Sequence, residues 1–302
     1  MKLIKPYFEI IEQEPGLEGI YKQIELAGRT CYKSEDKMTP DSAKGFVDRM
    51  IKSGHGAMLE HGTVYLAIPY NVVSSIAQPH FKYRYNKYSK VNNDMCINND
   101  IAYVTTNFRV LAENGWLDDL KYICEPTEYH EKRVTVRFIL PIGISREFCR
   151  HRVFSFAEQS TRYCNYNADK FNNELTFIIP YWTNLKEARY QYWDNDWVDA
   201  TDKNSIPNTI LKHFEGDSVD IFLSQCESAE VNYKALINRG CKAQEAREIL
   251  PLCTKSELVM TGTLEQWKGF FVLRDAKSAH PQAHELAHLL YVEFIYRGYL
   301  SE

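Results

Sequence analysis

The stretch Arg146-Glu-Phe-Cys-Arg-His-Arg-Val-Phe-Ser-Phe-Ala-Glu-Gln-Ser-Thr-Arg-Tyr163 concentrates positive charge in an acidic chain. Its four arginines and two glutamates leave a local charge of +2, whereas the 302-residue chain has a formal net charge of −4. The planar fork of an arginine matches phosphate and carboxylate oxygens two at a time. The pattern therefore indicates a site for a polyanionic ligand, walled by Phe148, Phe154, Phe156 and Tyr163. A solvated basic helix face is the alternative interpretation.

The order of residues within this stretch is specific. Arg150-His151-Arg152-Val153-Phe154-Ser155 resembles the Arg-His-Arg-x-x-Ser signature of flavin-dependent thymidylate synthases. The residues that resemble its downstream extension are Glu158, Ser160, Arg162 and Tyr163. Three more stretches resemble the same family, at His55 to His61, Glu245 to Pro251 and Leu264 to Leu286.

The resemblance implies a fold and an activity. We expect an α+β fold with a central, mostly antiparallel sheet flanked by helices. Members convert dUMP to dTMP, with methylenetetrahydrofolate as the carbon donor and NADPH-reduced FAD as the hydride donor. They use no enzyme nucleophile, so the protein must bind, orient and polarise its ligands. The family also forms homotetramers whose active sites lie at subunit interfaces.

The resemblance also assigns roles to single residues. The predicted dUMP contacts are Glu147, Arg150, Glu158, Ser160, Thr161, Arg162, Arg247 and Arg274. The predicted flavin and folate contacts are His55, Glu60, Arg150, His151, Arg152, Glu158 and His280. Two of the residues are expected to serve catalysis: Arg274 would polarise the uracil ring, and Ser155 would order the substrate pocket. Glu147 stands where some members place a glutamine that contacts the substrate.

Composition narrows the class of protein. With 44% hydrophobic residues, the chain can bury a large core, and we expect one catalytic domain over residues 1–302. There is no run of eighteen apolar residues and no signal-peptide pattern, so we expect a cytoplasmic protein without a membrane anchor.

The eight cysteines include no Cys-x-x-Cys pair and are interpreted as mostly buried thiols. His55, Glu60 and His61 lack the one-face His-x-x-x-His spacing, so we predict no metal site. The mildly acidic balance disfavours a general nucleic-acid binder.

Periodicity predicts most of the secondary structure. Arg133 to Leu140 alternates as a strand, and Pro141 and Gly143 should turn it into a helix that carries the arginine motif. Tyr181 to Val198 is rich in tyrosine and tryptophan and is predicted to be an aromatic helix. The other predicted helices cover Pro15 to Tyr32, Ala43 to Ile51, Asn107 to Asn114, Asp217 to Arg239, Leu264 to Leu273 and the segment after His280-Pro281.

Residues 70–132 are absent from the shortest members of the family and are interpreted as an elaboration of the same domain. Within them, Phe81 to Lys90 alternates cations with tyrosines. We favour an edge hairpin with one half-buried face. The alternative is a surface that stacks and neutralises single-stranded nucleic acid.

A cysteine-dependent methyltransferase is the remaining alternative. Cys149 lies next to Arg150, His151 and Arg152, and such cations can lower the pKa of a thiol and make it nucleophilic. Cysteines beside cations are often inert when they are buried. No Gly-x-Gly-x-x-Gly motif is present, so NADPH would have to approach the flavin itself.

Overall fold

The computed structural model describes residues 1–69, 80–92, 101–193, 196–199 and 217–301. The strands in these ranges are β1 (Lys2–Ile4), β2 (Tyr7–Ile11), β3 (Thr63–Pro69), β4 (Lys90–Asn92), β5 (Ile101–Asn107), β6 (Arg133–Pro141), β7 (Ser155–Glu158), β8 (Thr176–Ile178), β9 (Ala188–Trp193), β10 (Asp196–Asp199) and β11 (Lys255–Thr263). The helices are α1 (Gly16–Tyr32), α2 (Ser42–Ser53), α3 (Gly56–Leu59), α4 (Phe81–Arg84), α5 (Phe108–Asn114), α6 (Ile142–Phe148), α7 (Ser218–Asn238), α8 (Ala243–Ala246), α9 (Leu264–Arg274) and α10 (Pro281–Tyr296). Short 3₁₀ helices lie at Glu35–Lys37, Leu117–Tyr122, Asp169–Phe171 and Arg247–Ile249.

The central sheet is antiparallel, with the strand order β2-β6-β11-β7. The alternation predicted for Arg133 to Leu140 is confirmed, because Val136 and Phe138 are fully buried against Trp267 and Phe294 of α9 and α10. Residues of the opposite parity, such as Arg137, lie on the other face, as successive side chains of a strand must. This sheet carries β7, the strand that follows the arginine motif.

Two smaller sheets complete the fold. Strands β3, β5 and β4 form an antiparallel sheet that packs with α1, α2 and α5. Strands β10, β9, β1 and β8 form a second sheet, in which only the β1–β8 pair is parallel among the described strands. The predicted α+β class with mostly antiparallel pairing is therefore confirmed. No helix within the described ranges is both long and apolar enough to cross a lipid bilayer.

Most helix predictions are confirmed, and their ends have local causes. The α5 helix begins where the Asn107 side chain accepts a hydrogen bond from the Val110 amide. It ends at Gly115, whose φ of 70° suits a residue without a side chain. Gly54 ends α2 in the same way, at a φ of 71°. Helices α7, α9 and α10 lie where their apolar spacing predicts them.

The predicted aromatic helix over Tyr181 to Val198 is wrong, because this region contains strands β9 and β10. Aromatic residues favour strands, and Arg189, Tyr190 and Gln191 alternate with a period of two. The aromatic content suits a helix or a strand, and the alternation favours the strand.

The predicted edge hairpin over Phe81 to Lys90 is also wrong. The segment forms the short helix α4, and only Lys90 enters a strand. Tyr83 is fully buried and its hydroxyl donates to Asp119, whereas Tyr85 is exposed. Residues 70–79 and 93–100 of the predicted elaboration lie outside the described residues.

Candidate functional site

The arginine motif lies in a turn that joins α6 to β7. The prediction that a helix carries the motif is wrong, because α6 ends at Phe148, before Arg150. Buried aromatic rings fix both ends of the turn, since Phe148 is 0% exposed and Phe154 is 6% exposed. Arg150 and Arg152 between them point outward and are exposed. The turn therefore presents its guanidinium groups to solvent instead of stacking them along one helix face.

A polar cleft of about 500 Å³ lies at the end of β7. It brings together five of the eight predicted dUMP contacts, which are Glu158, Ser160, Thr161, Arg162 and Arg247. Arg247 comes from the turn after α8, and its Nη1 atom donates to the Thr161 hydroxyl at 3.3 Å. Two segments separated by 86 residues thus contribute to one polar surface.

The Glu158 carboxylate is oriented by two hydroxyl groups. Ser145 of α6 and Ser256 of β11 both donate to its Oε1 atom, at 2.5 and 2.9 Å. Both serines are buried. No described residue donates to Oε2, so this oxygen is available to accept a hydrogen bond from a ligand in the cleft.

Three other predicted dUMP contacts do not line this cleft. Arg274 ends α9 and binds Glu147: Nη1 donates to the carboxylate at 2.8 Å, and Nη2 donates to the backbone carbonyl at 2.6 Å. Its Nε atom donates to His151 Nε2 at 3.0 Å. Arg150 is exposed in the turn and forms no ion pair with any described residue.

His151 is neutral at pH 7 in this environment. Burial lowers the pKa of His151 first, and the neighbouring Arg274 charge lowers it further, to about 4. Because Nε2 accepts from Arg274, the proton of the neutral ring lies on Nδ1. The Arg274 guanidinium is thus held by three hydrogen bonds in one orientation.

The predicted flavin and folate contacts lie in several places of the chain. His55 is exposed at the start of α3, and Glu60 follows that helix and lines a cavity of about 150 Å³. His280 is exposed at the start of α10, where its Nδ1 atom accepts from the Gln282 amide at 3.2 Å. His280 borders a groove of about 720 Å³ that also includes Glu147. The described part of the chain does not bring this set into a single cavity.

Ser155 does not face the cleft. It is 6% exposed at the start of β7, opposite Thr261 of β11. Its role in ordering the substrate pocket stays a prediction.

Two residues that shape the cleft are absent from the predicted contacts: Arg146, which lines it, and Ser256, which orients Glu158. Arg146 lines the cleft, is exposed, and forms no ion pair with any residue in the described ranges. The available signal is the local positive charge, because Arg146 belongs to the same arginine-rich stretch as the motif. Ser256 carries no such signal, because it reaches Glu158 only through the pairing of β11 with β7.

The cysteine alternative is contradicted by the environment of Cys149. Burial raises the pKa of this thiol to about 12, and the nearby Glu158 charge adds to the effect. A thiol of this kind is not ionised at neutral pH. The cysteines within the described ranges are all free, and each is buried or half-buried.

Comparison with known proteins identifies relatives of the chain. A profile of the family described as thymidylate synthase complementing protein matches residues 125–296. The chain is 29% identical over 143 residues to the flavin-dependent thymidylate synthase of Pyrococcus furiosus, across 47% of this chain and 46% of that protein. It is 28% identical over 272 residues to the flavin-dependent thymidylate synthase of Corynebacterium efficiens, across 89% of this chain and 73% of that protein.

The extent of these matches differs between relatives. The chain spans about half the length of the Pyrococcus relative that it matches. Among solved structures, it is similar to the UMP/dUMP methylase PolB from Streptomyces cacaoi bound with 5-Br UMP, with a TM-score of 0.42 and 17% identity, covering 98% of this chain and 92% of that chain. Since the family profile covers more than half of the sequence, including the arginine turn, the cleft and the Arg274 cluster, this chain belongs to the thymidylate synthase complementing protein family.

Proposed function

We propose that this protein is a flavin-dependent thymidylate synthase that converts dUMP to dTMP. Methylenetetrahydrofolate would donate the carbon, and FAD reduced by NADPH would donate the hydride. One observation carries the proposal: the cleft gathers Arg146, Arg162 and Arg247, and neither Arg146 nor Arg162 has a carboxylate partner among the described residues. Among the described residues, the one carboxylate that pairs with Arg247 is that of the exposed Glu248, at 3.7 Å.

A nucleotide phosphate suits this cleft. Clustered guanidinium groups repel one another unless an anion neutralises them. Arginine pairs with phosphate through two parallel hydrogen bonds, which adds geometric specificity to the charge attraction. The Ser160 and Thr161 hydroxyls can donate further hydrogen bonds to the same anion, and the free oxygen of Glu158 can accept one from the nucleoside.

The second group of predicted dUMP contacts would complete the site from another subunit. Arg274, Glu147 and Arg150 lie outside the cleft of their own chain. We propose a homotetramer with active sites at subunit interfaces, the assembly that the family resemblance implies. Arg274 is held by Glu147 and His151, so it could polarise the uracil ring without first having to be ordered.

The exposed part of the turn fits a flavin dinucleotide. Arg150 and Arg152 are exposed and form no ion pair with described residues, so they can bind a diphosphate. Glu60, His151 and His280 would contact the rest of the cofactor, and His55 the folate. When bound, FAD reduced by NADPH supplies the hydride, while the role of the chain is to bind and orient the ligands. We further propose that residues 1–302 form one cytoplasmic catalytic domain.

Binding of single-stranded nucleic acid is the second candidate. The exposure of Tyr85 and Tyr88 beside the exposed Lys87 and Lys90 favours it, because bases stack on such rings. A nucleic-acid-binding function requires oligonucleotide binding that weakens steeply as the salt concentration rises. A fluorescence anisotropy titration at two salt concentrations distinguishes the two candidates, because the thymidylate synthase proposal predicts no binding.

The main proposal is tested with purified protein, FAD, NADPH, methylenetetrahydrofolate and dUMP. We expect a yellow protein that oxidises NADPH faster when dUMP is present and releases dTMP, measured by absorbance and chromatography. Protein that takes up no FAD, or that forms no dTMP in the complete mixture, would contradict it.

A further inference from the structure

Helix α5 of the elaboration lies against the turn that carries His55 and Glu60. The Phe108 amide at the start of α5 donates to the Gly62 carbonyl at 2.9 Å. Strand β5, which leads into α5, pairs with β3 from Thr63 onward. The segment that the shortest relatives lack is therefore joined directly to a predicted cofactor-binding turn.

Arg109 of α5 makes the central contact. Its Nη1 atom donates to Glu60 Oε1 at 2.6 Å, and its Nε atom donates to Glu113 Oε1 at 2.7 Å. Charge-assisted hydrogen bonds of this kind are stronger than neutral ones and directional. The bond from Nη1 occupies Oε1 of Glu60, and Glu60 Oε2 has no partner among the described residues.

The Arg109–Glu113 pair also lies close to the first residue of α3. A Cβ atom at Gly56, the first residue of α3, would lie 2.7 Å from Glu113 Oε1 and 2.8 Å from Arg109 Nε. In this arrangement the absence of a side chain at Gly56 lets the Arg109–Glu113 pair lie against the start of α3.

A second guanidinium holds the backbone of Glu60. Arg133 Nη2 donates to the Glu60 carbonyl at 3.1 Å, and its Nη1 donates to the Thr63 hydroxyl at 3.2 Å. The main chain of Glu60 is therefore held from the central sheet, whereas among the described residues Arg109 alone donates to its side chain.

We propose that Arg109 is a positioning residue for cofactor binding, which acts by holding the Glu60 carboxylate with Oε2 free to meet the flavin or folate. The inference rests on the proposed function, because it takes Glu60 to be a cofactor contact. It also gives the elaboration a role: α5 supports one wall of the cofactor site.

FAD affinity is the main test, measured by absorbance titration of the complete chain without turnover. We expect Arg109→Ala to raise the Kd for FAD about tenfold, the usual effect of losing one charge-assisted hydrogen bond. Arg109→Lys should recover part of this loss. Arg109→Ala should add little to the effect of Glu60→Gln, because residues that act as a unit are not additive. Equal Kd values for the wild-type protein and Arg109→Ala, or fully additive effects, would overturn the inference.

Two matched variants control for general damage. Glu113→Gln removes the other carboxylate that binds Arg109, and because this pair is partly exposed we expect a change in Kd of less than about twofold. Arg49→Ala removes an exposed arginine that lies over Phe46 and has no ion pair with a described residue, and it should leave the Kd unchanged.

Amide hydrogen exchange of the ligand-free protein gives a second readout. Arg109→Ala should speed exchange over residues 55–62 and leave β11 unchanged, because the loss is local. If the wild-type protein takes up no FAD, the proposed function fails, and the exchange result alone decides whether Arg109 holds the turn. Unchanged exchange over residues 55–62 would overturn that part as well.

Discussion

Charged side chains lie on both faces of the sheet at strands β7 and β11. Near one face the positive charges lack carboxylate partners among the described residues, and on the other face they are paired. On one face, Glu158 and Ser256 lead to the cleft with its arginines. On the other face, Glu257 is surrounded by cations. The comparison shows how to tell a charge that holds the fold from a charge that is available to a ligand.

On the Glu257 face, opposite charges are paired. Glu257 is 2% exposed and binds Lys33 at 2.6 Å, and it also binds Lys255 and Arg137. Burial acts to raise the pKa of Glu257, but the three cations outweigh it and lower the pKa to about 2. Glu9 and Glu35 also pair with cations of this group, so three carboxylates balance the three cations and leave little charge for a ligand.

On the cleft face, the positive charges lack such partners. Arg146 and Arg162 are exposed, and no carboxylate of the described residues pairs with either. An unpaired guanidinium in a concave site is available to an anionic ligand, whereas one in a buried network is a structural element.

The largest expected effect comes from breaking the paired face. Glu257→Ala leaves Lys255 without its carboxylate partner and Arg137 with the more distant Glu9 and Glu35, and we expect it to lower the free energy of unfolding by about 3–5 kcal/mol. Urea denaturation measures the change. A loss of less than about 1 kcal/mol, the range of exposed pairs, would show that the network is not structural.

A cleft arginine should behave in the opposite way. Arg247→Ala should lower kcat/KM for dUMP about a hundredfold, as for loss of one oriented donor, and should leave the unfolding transition nearly unchanged. Arg239→Ala, at the exposed end of α7, is the matched control and should affect neither. A destabilised Arg247→Ala protein would place Arg247 with the structural charges.

The pH dependence of stability sharpens the contrast. Because the pKa of Glu257 is lowered from 4.5 to about 2 in the folded protein, its contribution is complete above pH 4.5 and is lost as the pH falls toward 2. The difference in unfolding free energy between the wild-type protein and Glu257→Gln should shrink over that interval. Chemical denaturation at several pH values measures it, and a constant difference would refute the assignment.

The smallest effect is expected at a hydroxyl group. Ser256→Ala removes one of the two donors that orient Glu158, and we expect it to weaken dUMP binding by about 0.5–1.5 kcal/mol. Titration calorimetry is the measurement. An unchanged affinity would mean that Ser145 alone is sufficient to hold Glu158.

Local patterns in the sequence predicted individual helices and strands better than they predicted how these elements pack together. The spacing of apolar residues located β6, α7 and α10, because each element has one buried face. Tyr181 to Val198 was predicted wrongly because its aromatic content suits a helix or a strand, and only the alternation of Arg189 to Gln191 separates the two.

The site was partly predictable for a related reason. The motif placed Glu158 to Arg162 together because they are neighbours in the chain, and the family resemblance added Arg247. No local pattern could show that Ser256 orients Glu158 or that Arg109 binds Glu60, because both contacts join distant segments. The pKa of Cys149 also depends on burial, which the adjacent cations in the sequence do not reveal.

The central claim is that the cleft arginines bind a nucleotide phosphate, and calorimetric titration with dUMP and with deoxyuridine tests it most directly. We predict that the wild-type protein binds dUMP far more tightly than deoxyuridine, and that a variant combining Arg146→Ala, Arg162→Ala and Arg247→Ala binds the two ligands equally weakly. Equal affinity of the wild-type protein for both ligands, or full discrimination by the triple variant, would contradict the account.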